Sequence, residues 1–122
     1  MRAAFLTPIA LLICTSTALS QGLVAPEGRY LWKCGTGVEW EDADGRLEIS
    51  GNELRYWEAT CTLTNPVDVR GLPNTKIYDG SCEGEGDEWE TRIILNTTSH
   101  LDLQVVIIIN DQGVGTYQSC PD

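Results

Sequence analysis

Three features of this 122-residue chain predict an all-β domain, a small antiparallel meander barrel or sandwich of about seven strands. Apolar residues recur at period two, and no helical stripe of any length appears. Turn-forming residues interrupt that alternation at intervals of strand length. Cys34, Cys61, Cys82 and Cys120 form an even set once an export signal is set aside, which suits two stapling disulfides in an oxidising compartment.

The export signal occupies residues 1–20. Met1-Arg2 is a short basic start, Ala3 to Cys14 is an almost unbroken apolar run, and small residues follow up to Ser20. Cleavage is expected before Gln21, with cleavage after Ala18 as the near alternative. A run of about a dozen residues is too short for a spanning helix, which needs roughly 20, so no membrane insertion is expected after cleavage. Cys14 leaves with the signal, because the large, β-branched Ile13 stands where lipoprotein processing takes a small residue. Residues 21–28, with Gly22 and Pro26, read as an extended leader. Residues 29–122 form a single β domain, and about a hundred residues suffice for one modest core.

The strands follow in order. Arg29 to Cys34 alternates Tyr30, Trp32 and Cys34 against Leu31 and Lys33, which places Trp32 in the core. Arg46 to Ile49 and Glu53 to Leu63 flank Gly51-Asn52, a pair suited to positive φ and a tight hairpin. Asn74 to Cys82 follows the turn Arg70-Gly71-Leu72-Pro73. Trp89 to Asn96 sets Trp89, Thr91, Ile93 and Leu95 on one buried face, and Asn96 to His100 is a polar turn. Leu101 to Ile109 is the clearest strand, with Leu101, Leu103, Val105, Ile107 and Ile109 toward the core. Uncharged and rich in β-branched residues, it would aggregate as an exposed edge, so it belongs in the middle of the sheet. Val106 and Ile108 then point away from the core, to be covered by the leader or by a second subunit. Asp111-Gln112-Gly113 turns the chain into the last strand, Val114 to Cys120.

Four cysteines have three possible pairings, and sequence alone does not choose among them. A hairpin roughly symmetric about Arg70 to Pro73 favours Cys61 with Cys82, leaving Cys34 with Cys120 to join the first strand to the last. Cys34–Cys61 with Cys82–Cys120 is the next choice. A zinc site is disfavoured, since no C-x-x-C occurs and the single histidine, His100, is remote.

Eighteen acidic residues against eight basic ones give a formal charge of −10, deeper by one once Arg2 is removed. Such a charge repels nucleic acid and anionic surfaces and favours a basic protein or a cation. The acids concentrate in Cys82 to Glu90, where Glu83, Glu85, Asp87 and Glu88 surround the glycines of a turn. That segment is a solvated turn, an acidic surface for a basic protein, or a set of oxygen ligands for Ca²⁺. Glu41 to Gly45 imitates part of an EF-hand loop, but the frame places Trp40 and Gly51 where ligands must stand. Neither metal nor other cofactor is expected. His100 is the only histidine available to a hydrolytic triad and lies in a polar turn, so no enzymatic activity is expected either. Trp40, in a loop, and Trp57, opposite in face to Leu54 and Tyr56, are candidates for a ligand-facing surface. Asn96-Thr97-Thr98 matches the glycosylation acceptor pattern.

Trp32-Lys33-Cys34-Gly35, then Cys61, Cys82-Glu83-Gly84-Glu85-Gly86 and Tyr117-x-x-Cys120 form a pattern that resembles small uncharacterised periplasmic proteins of Gram-negative bacteria. The resemblance covers most of the domain, implies a compact secreted β domain and implies no activity. In size, compartment and disulfides the chain is loosely similar to periplasmic β-barrel inhibitors of lysozyme or proteases, a likeness of fold alone. The expectation is therefore a non-enzymatic exported binding or inhibitor-like module that presents Glu83, Glu85, Asp87 and Glu88 to a basic protein, lysozyme being one example. The alternatives are a small-ligand or carbohydrate carrier using Trp40 and Trp57, and a structural envelope protein, monomeric or weakly dimeric through Val106 and Ile108.

Overall fold

The computed structural model describes residues 3–6, 8–12 and 22–121. Eight antiparallel strands run β1 (Gly28–Leu31), β2 (Arg46–Ser50), β3 (Glu53–Tyr56), β4 (Thr60–Val69), β5 (Leu72–Gly84), β6 (Asp87–His100), β7 (Leu103–Asn110) and β8 (Gly113–Gln118). Each pairs with the next and β8 returns to β1, so the meander closes as a barrel. β7 is paired along its length with β6 on one side and β8 on the other, which is how this uncharged strand is protected. Among the described residues, no helix is long and apolar enough to cross a membrane.

The eighth strand comes from the expected Glu53 to Leu63 run, which is two strands. The Tyr56 amide donates to the Ala59 carbonyl at 2.7 Å, closing a tight turn that no glycine or proline announces. The available signal was a slip of phase: Leu54 and Tyr56 are even-numbered, whereas the buried Cys61 and Leu63 are odd. The expected turn at Asn96 to His100 is instead strand. Its threonines suit extended backbone and pair with β7, Thr97 opposite Val106 and Thr98 opposite Val105. The reversal falls at Leu101-Asp102, both at positive φ. In β4, Pro66 has no N–H to give the ladder, and the register shifts between Thr64 and Val67 with Asn65 at a φ of 53°.

An eight-stranded barrel is just wide enough for side chains to fill it. Leu47, Ile49, Leu54, Leu63, Ile93, Leu95, Val106 and Ile108 do so, with Tyr30, Tyr78 and Tyr117. The expected faces of β7 are thus reversed: Val106 is 0% exposed and Ile109 is 36% exposed. Pairing sets the phase, because Ile108 stands opposite the buried Leu95 while Ile109 stands opposite Ile94. Outside, Val67, Ile77, Ile94, Ile109 and Val114 are successive register partners across β4 to β8, an apolar row that Ile107 widens on β7. Asp79 and Arg92 border it on one side, and Asn96 and Thr116 lie beyond it on the other.

The leader covers apolar surface, but from within. Ala25 is buried in the core, with Leu23 and Val24 packed against it. The Val24 amide donates to the Tyr78 hydroxyl at 3.0 Å, and the Tyr30 hydroxyl donates to the Pro26 carbonyl at 2.7 Å. Phe5, Leu6, Ile9, Leu11 and Leu12 are exposed and take no part in this core. The proposed cleavage site and Cys14 lie outside the described residues.

Both disulfides are the nested pair. Cys61 and Cys82 are directly opposed in β4 and β5, and Cys34 joins Cys120. The second bridge lies beside the weakest seam, where β1 and β8 share the single register pair Leu31 and Gln118.

Burial raises the phenol pKa values of Tyr30, Tyr56 and Tyr117, and Tyr56 is pushed furthest, helped by the neighbouring Tyr117. Unfolded tyrosines ionise near 10. The stabilisation from these groups is therefore complete below pH 10 and is lost as pH rises toward the folded values. We expect the denaturant midpoint to fall above about pH 10, with the Tyr56 phenolate appearing only as the barrel unfolds. Phenolate absorbance from Tyr56 at about pH 10 in the intact barrel would contradict this burial.

Candidate functional site

The β5–β6 hairpin turns at Glu85-Gly86, both at positive φ, as a two-residue connection requires. Register sets Glu83 opposite Glu88 and Gly84 opposite Asp87. Gly84 matters for a different reason. A Cβ there would collide with the Glu58 carbonyl and lie 3.0 Å from the Ala59 Cβ, so only glycine lets the β3–β4 turn sit against the acidic hairpin. That contact carries Trp57 and Glu58 to the same place. Trp57, Glu58, Glu83, Asp87 and Glu88 line one open groove of about 520 Å³, and Trp57 is 39% exposed.

A second groove of about 580 Å³ adjoins it on the barrel wall and shares Thr60, Glu83 and Glu88. Its floor is a cross-strand row, Glu53–Thr62–Ser81–Glu90, with carboxylates at the ends and hydroxyls between. Chain reversal twice over has thus gathered acids from β3, β5, β6 and a turn onto one side.

Acids outnumber bases on this side, where Arg55 pairs with Glu53 and Arg46 lies over Trp57. Among the described residues, ion pairs join Arg29 to Glu41 and Glu48, Arg55 to Glu48 and Glu53, Lys76 to Asp68, and Arg92 to Asp79. None of them reaches Glu58, Glu83, Glu85, Asp87, Glu88 or Glu90. A hydrogen bond with Glu58, then that residue's charge, raises the Glu85 pKa above the ordinary carboxylate value. The shared proton favours the fold in acid, and that contribution fades as pH climbs past 4.5 toward the raised value. At neutral pH the two carboxylates repel, which a cation placed between them would relieve.

Trp57 already receives a cation at its face. The Arg46 guanidinium carbon lies 4.4 Å from its ring centroid, within the range of cation–π attraction. Trp40, the other tryptophan singled out, is not brought to this groove. Its half-buried ring stacks with Arg29 at 4.3 Å and Arg46 at 5.3 Å, and its indole N–H donates to the Tyr30 carbonyl. Trp32 and Trp89, expected in the core, are 58% and 39% exposed. Their faces are inward by alternation, but they sit where the barrel ends and nothing covers them. Among the described residues, no group of three or more His, Cys, Asp and Glu is placed to hold a metal ion. His100 is exposed at the far end of β6.

Glu58 and Glu53 join the site without having been singled out, and Glu90, the last carboxylate of the Cys82 to Glu90 run, joins beyond the four that were named. Register could have found Glu90, two residues beyond Glu88 on the same face. Nothing in local spacing links Glu58 to Glu83, which meet only because the β3–β4 turn exists. Comparison of the chain with protein-family models, curated proteins and solved structures finds no match.

Proposed function

We propose that the protein is an exported, non-enzymatic binding module whose acidic barrel end receives the cationic side chains of a basic protein partner. One observation carries the proposal: Trp57 and the ion-pair-free carboxylates Glu58, Glu83, Asp87 and Glu88 line the same groove. A lysine or arginine entering it gains the carboxylates, and gains the Trp57 indole where it takes the place that Arg46 now holds over the ring. The placement of Arg46 over Trp57 illustrates the geometry such a guest would take. Export is supported by the apolar run Ala3 to Cys14 with small residues after it, and by the pairing of all four domain cysteines.

Lysozyme and a lysine-rich peptide are suitable probes. Binding should be measurable at low ionic strength and weaken steeply toward physiological salt. The double variant Glu83→Gln/Glu88→Gln should bind about tenfold more weakly, equivalent to about 1.4 kcal/mol. No binding of either probe at low salt, or binding that ignores both salt and the variant, overturns the proposal.

A further inference from the structure

One groove on the barrel differs from the acidic pair in kind. It lies at the barrel mouth, between the end of β1 and the β7–β8 turn, encloses about 440 Å³, and is lined by Trp32, Tyr56, Tyr117, Asn110, Gln112 and Thr116 with apolar and glycine neighbours. No carboxylate, lysine or arginine contributes to it, in a chain whose formal charge is −10. A charged guest gains nothing there from its charge.

Trp32 is the feature that asks for a ligand. It is more than half exposed, yet it is held from several directions. Its amide donates to the Gly45 carbonyl at 3.0 Å, and its own carbonyl accepts from the Gln118 side chain at 3.4 Å. Its ring lies over Gly45, where a Cβ would stand 2.5 Å from the indole Cδ2, so the residue beneath must be glycine. Tyr117 flanks it with ring centroids 6.4 Å apart, and Tyr56 stands 6.2 Å from Tyr117 in turn. An aromatic surface held still before binding loses little entropy when a partner arrives.

We propose that this mouth binds a neutral oligosaccharide, with a sugar ring stacked on Trp32. The C–H face of a pyranose suits an aromatic platform. Its hydroxyls need donors and acceptors together, which the Gln112 side-chain amide and the Asn110 amide nitrogen provide, Asn110 Oδ1 already accepting from the Gln112 N–H. A purely apolar guest would use the aromatic wall but leave these amides without partners, a penalty when they are desolvated. Burial keeps the Tyr56 and Tyr117 phenols protonated, so the wall they form stays uncharged across the physiological range. The site is separate from the acidic groove in its main residues, sharing only Tyr56.

The test is titration of the oxidised protein with cellotriose, maltotriose, mannotriose and chitotriose, followed by amide and indole N–H resonances. At least one sugar should shift the Trp32 indole, Gln112 and Thr116 signals saturably, leaving the Trp40 indole unmoved. Trp32→Ala should weaken that binding by at least about tenfold. Gln112 is exposed and its side chain has no hydrogen-bond partner among the described residues, so Gln112→Ala keeps the fold and should weaken binding several-fold. Shifts from none of the four sugars, shifts that map to Trp57, or binding indifferent to both substitutions would each overturn the proposal. Saturable shifts from a proline-rich peptide and not from the sugars would do the same.

Discussion

Serine at positions 34 and 120 lowers the unfolding free energy by about 4.5 kcal/mol, the chain-entropy value for a loop of this length. The bridge spans 86 residues, so it restrains nearly the whole domain when unfolded. Its effect in the folded state is local. β1 and β8 share one register pair, whereas β5 and β6 share a continuous ladder from Thr75–Asn96 to Gly84–Asp87. Without the bridge, hydrogen exchange should rise in Gly28–Leu31 and Gly113–Gln118 before it rises elsewhere. Removing Cys61–Cys82, with a separation of 21, should lower stability by about 3.3 kcal/mol on the same model, with no opening of the seam. Denaturant titration and exchange mass spectrometry check both. A loss below about 1 kcal/mol for the Cys34–Cys120 variant would contradict the chain-entropy account, and unchanged exchange in β1 and β8 would mean the seam holds by itself.

Val106→Asp is expected to abolish folding or to lower stability by more than about 4 kcal/mol, because an unpaired carboxylate would enter a filled barrel. Val106 is fully enclosed, opposite Thr97 on one side and Tyr117 on the other. Ile109→Asp, three residues along on the outer face, should cost under about 1 kcal/mol. Circular dichroism and a denaturant curve on the two variants decide the phase of β7. The opposite ranking would restore the inverted faces and leave Ile107 and Ile109 in the interior.

These two experiments bear on the places where strand patterning was clear and where it was not. The β2–β3 hairpin at Gly51-Asn52, the turn at Arg70-Gly71 and the opposition of Cys61 and Cys82 were all legible, because each rests on local chemistry. Gly51 and Gly71 take the positive φ that each turn requires, at 59° and 79°, and a hairpin about a known turn sets its own register. β7 was not legible in phase, since apolar residues occupy both of its faces and alternation then carries no sign. The β3–β4 turn was missed because it uses Trp57, Glu58 and Ala59, none of them a turn-forming type. Trp32 and Trp89 follow the inward alternation faithfully and are nonetheless exposed, since alternation gives direction and says nothing of how far along the barrel a residue stands.

The same division runs through the functional surfaces. That the chain is all-β, acidic and doubly bridged follows from residue types and their order. Glu83, Glu85, Asp87 and Glu88 could be named as a charged cluster because they are neighbours in the chain. Their meeting with Trp57 and Glu58, and the grouping of Trp32, Tyr56 and Tyr117 around an uncharged mouth, required closure of the barrel. Alternation and charge are properties of neighbouring residues, whereas these groupings join residues 24 to 85 positions apart. Register and closure bring such residues together, and each depends on every strand pairing around the ring.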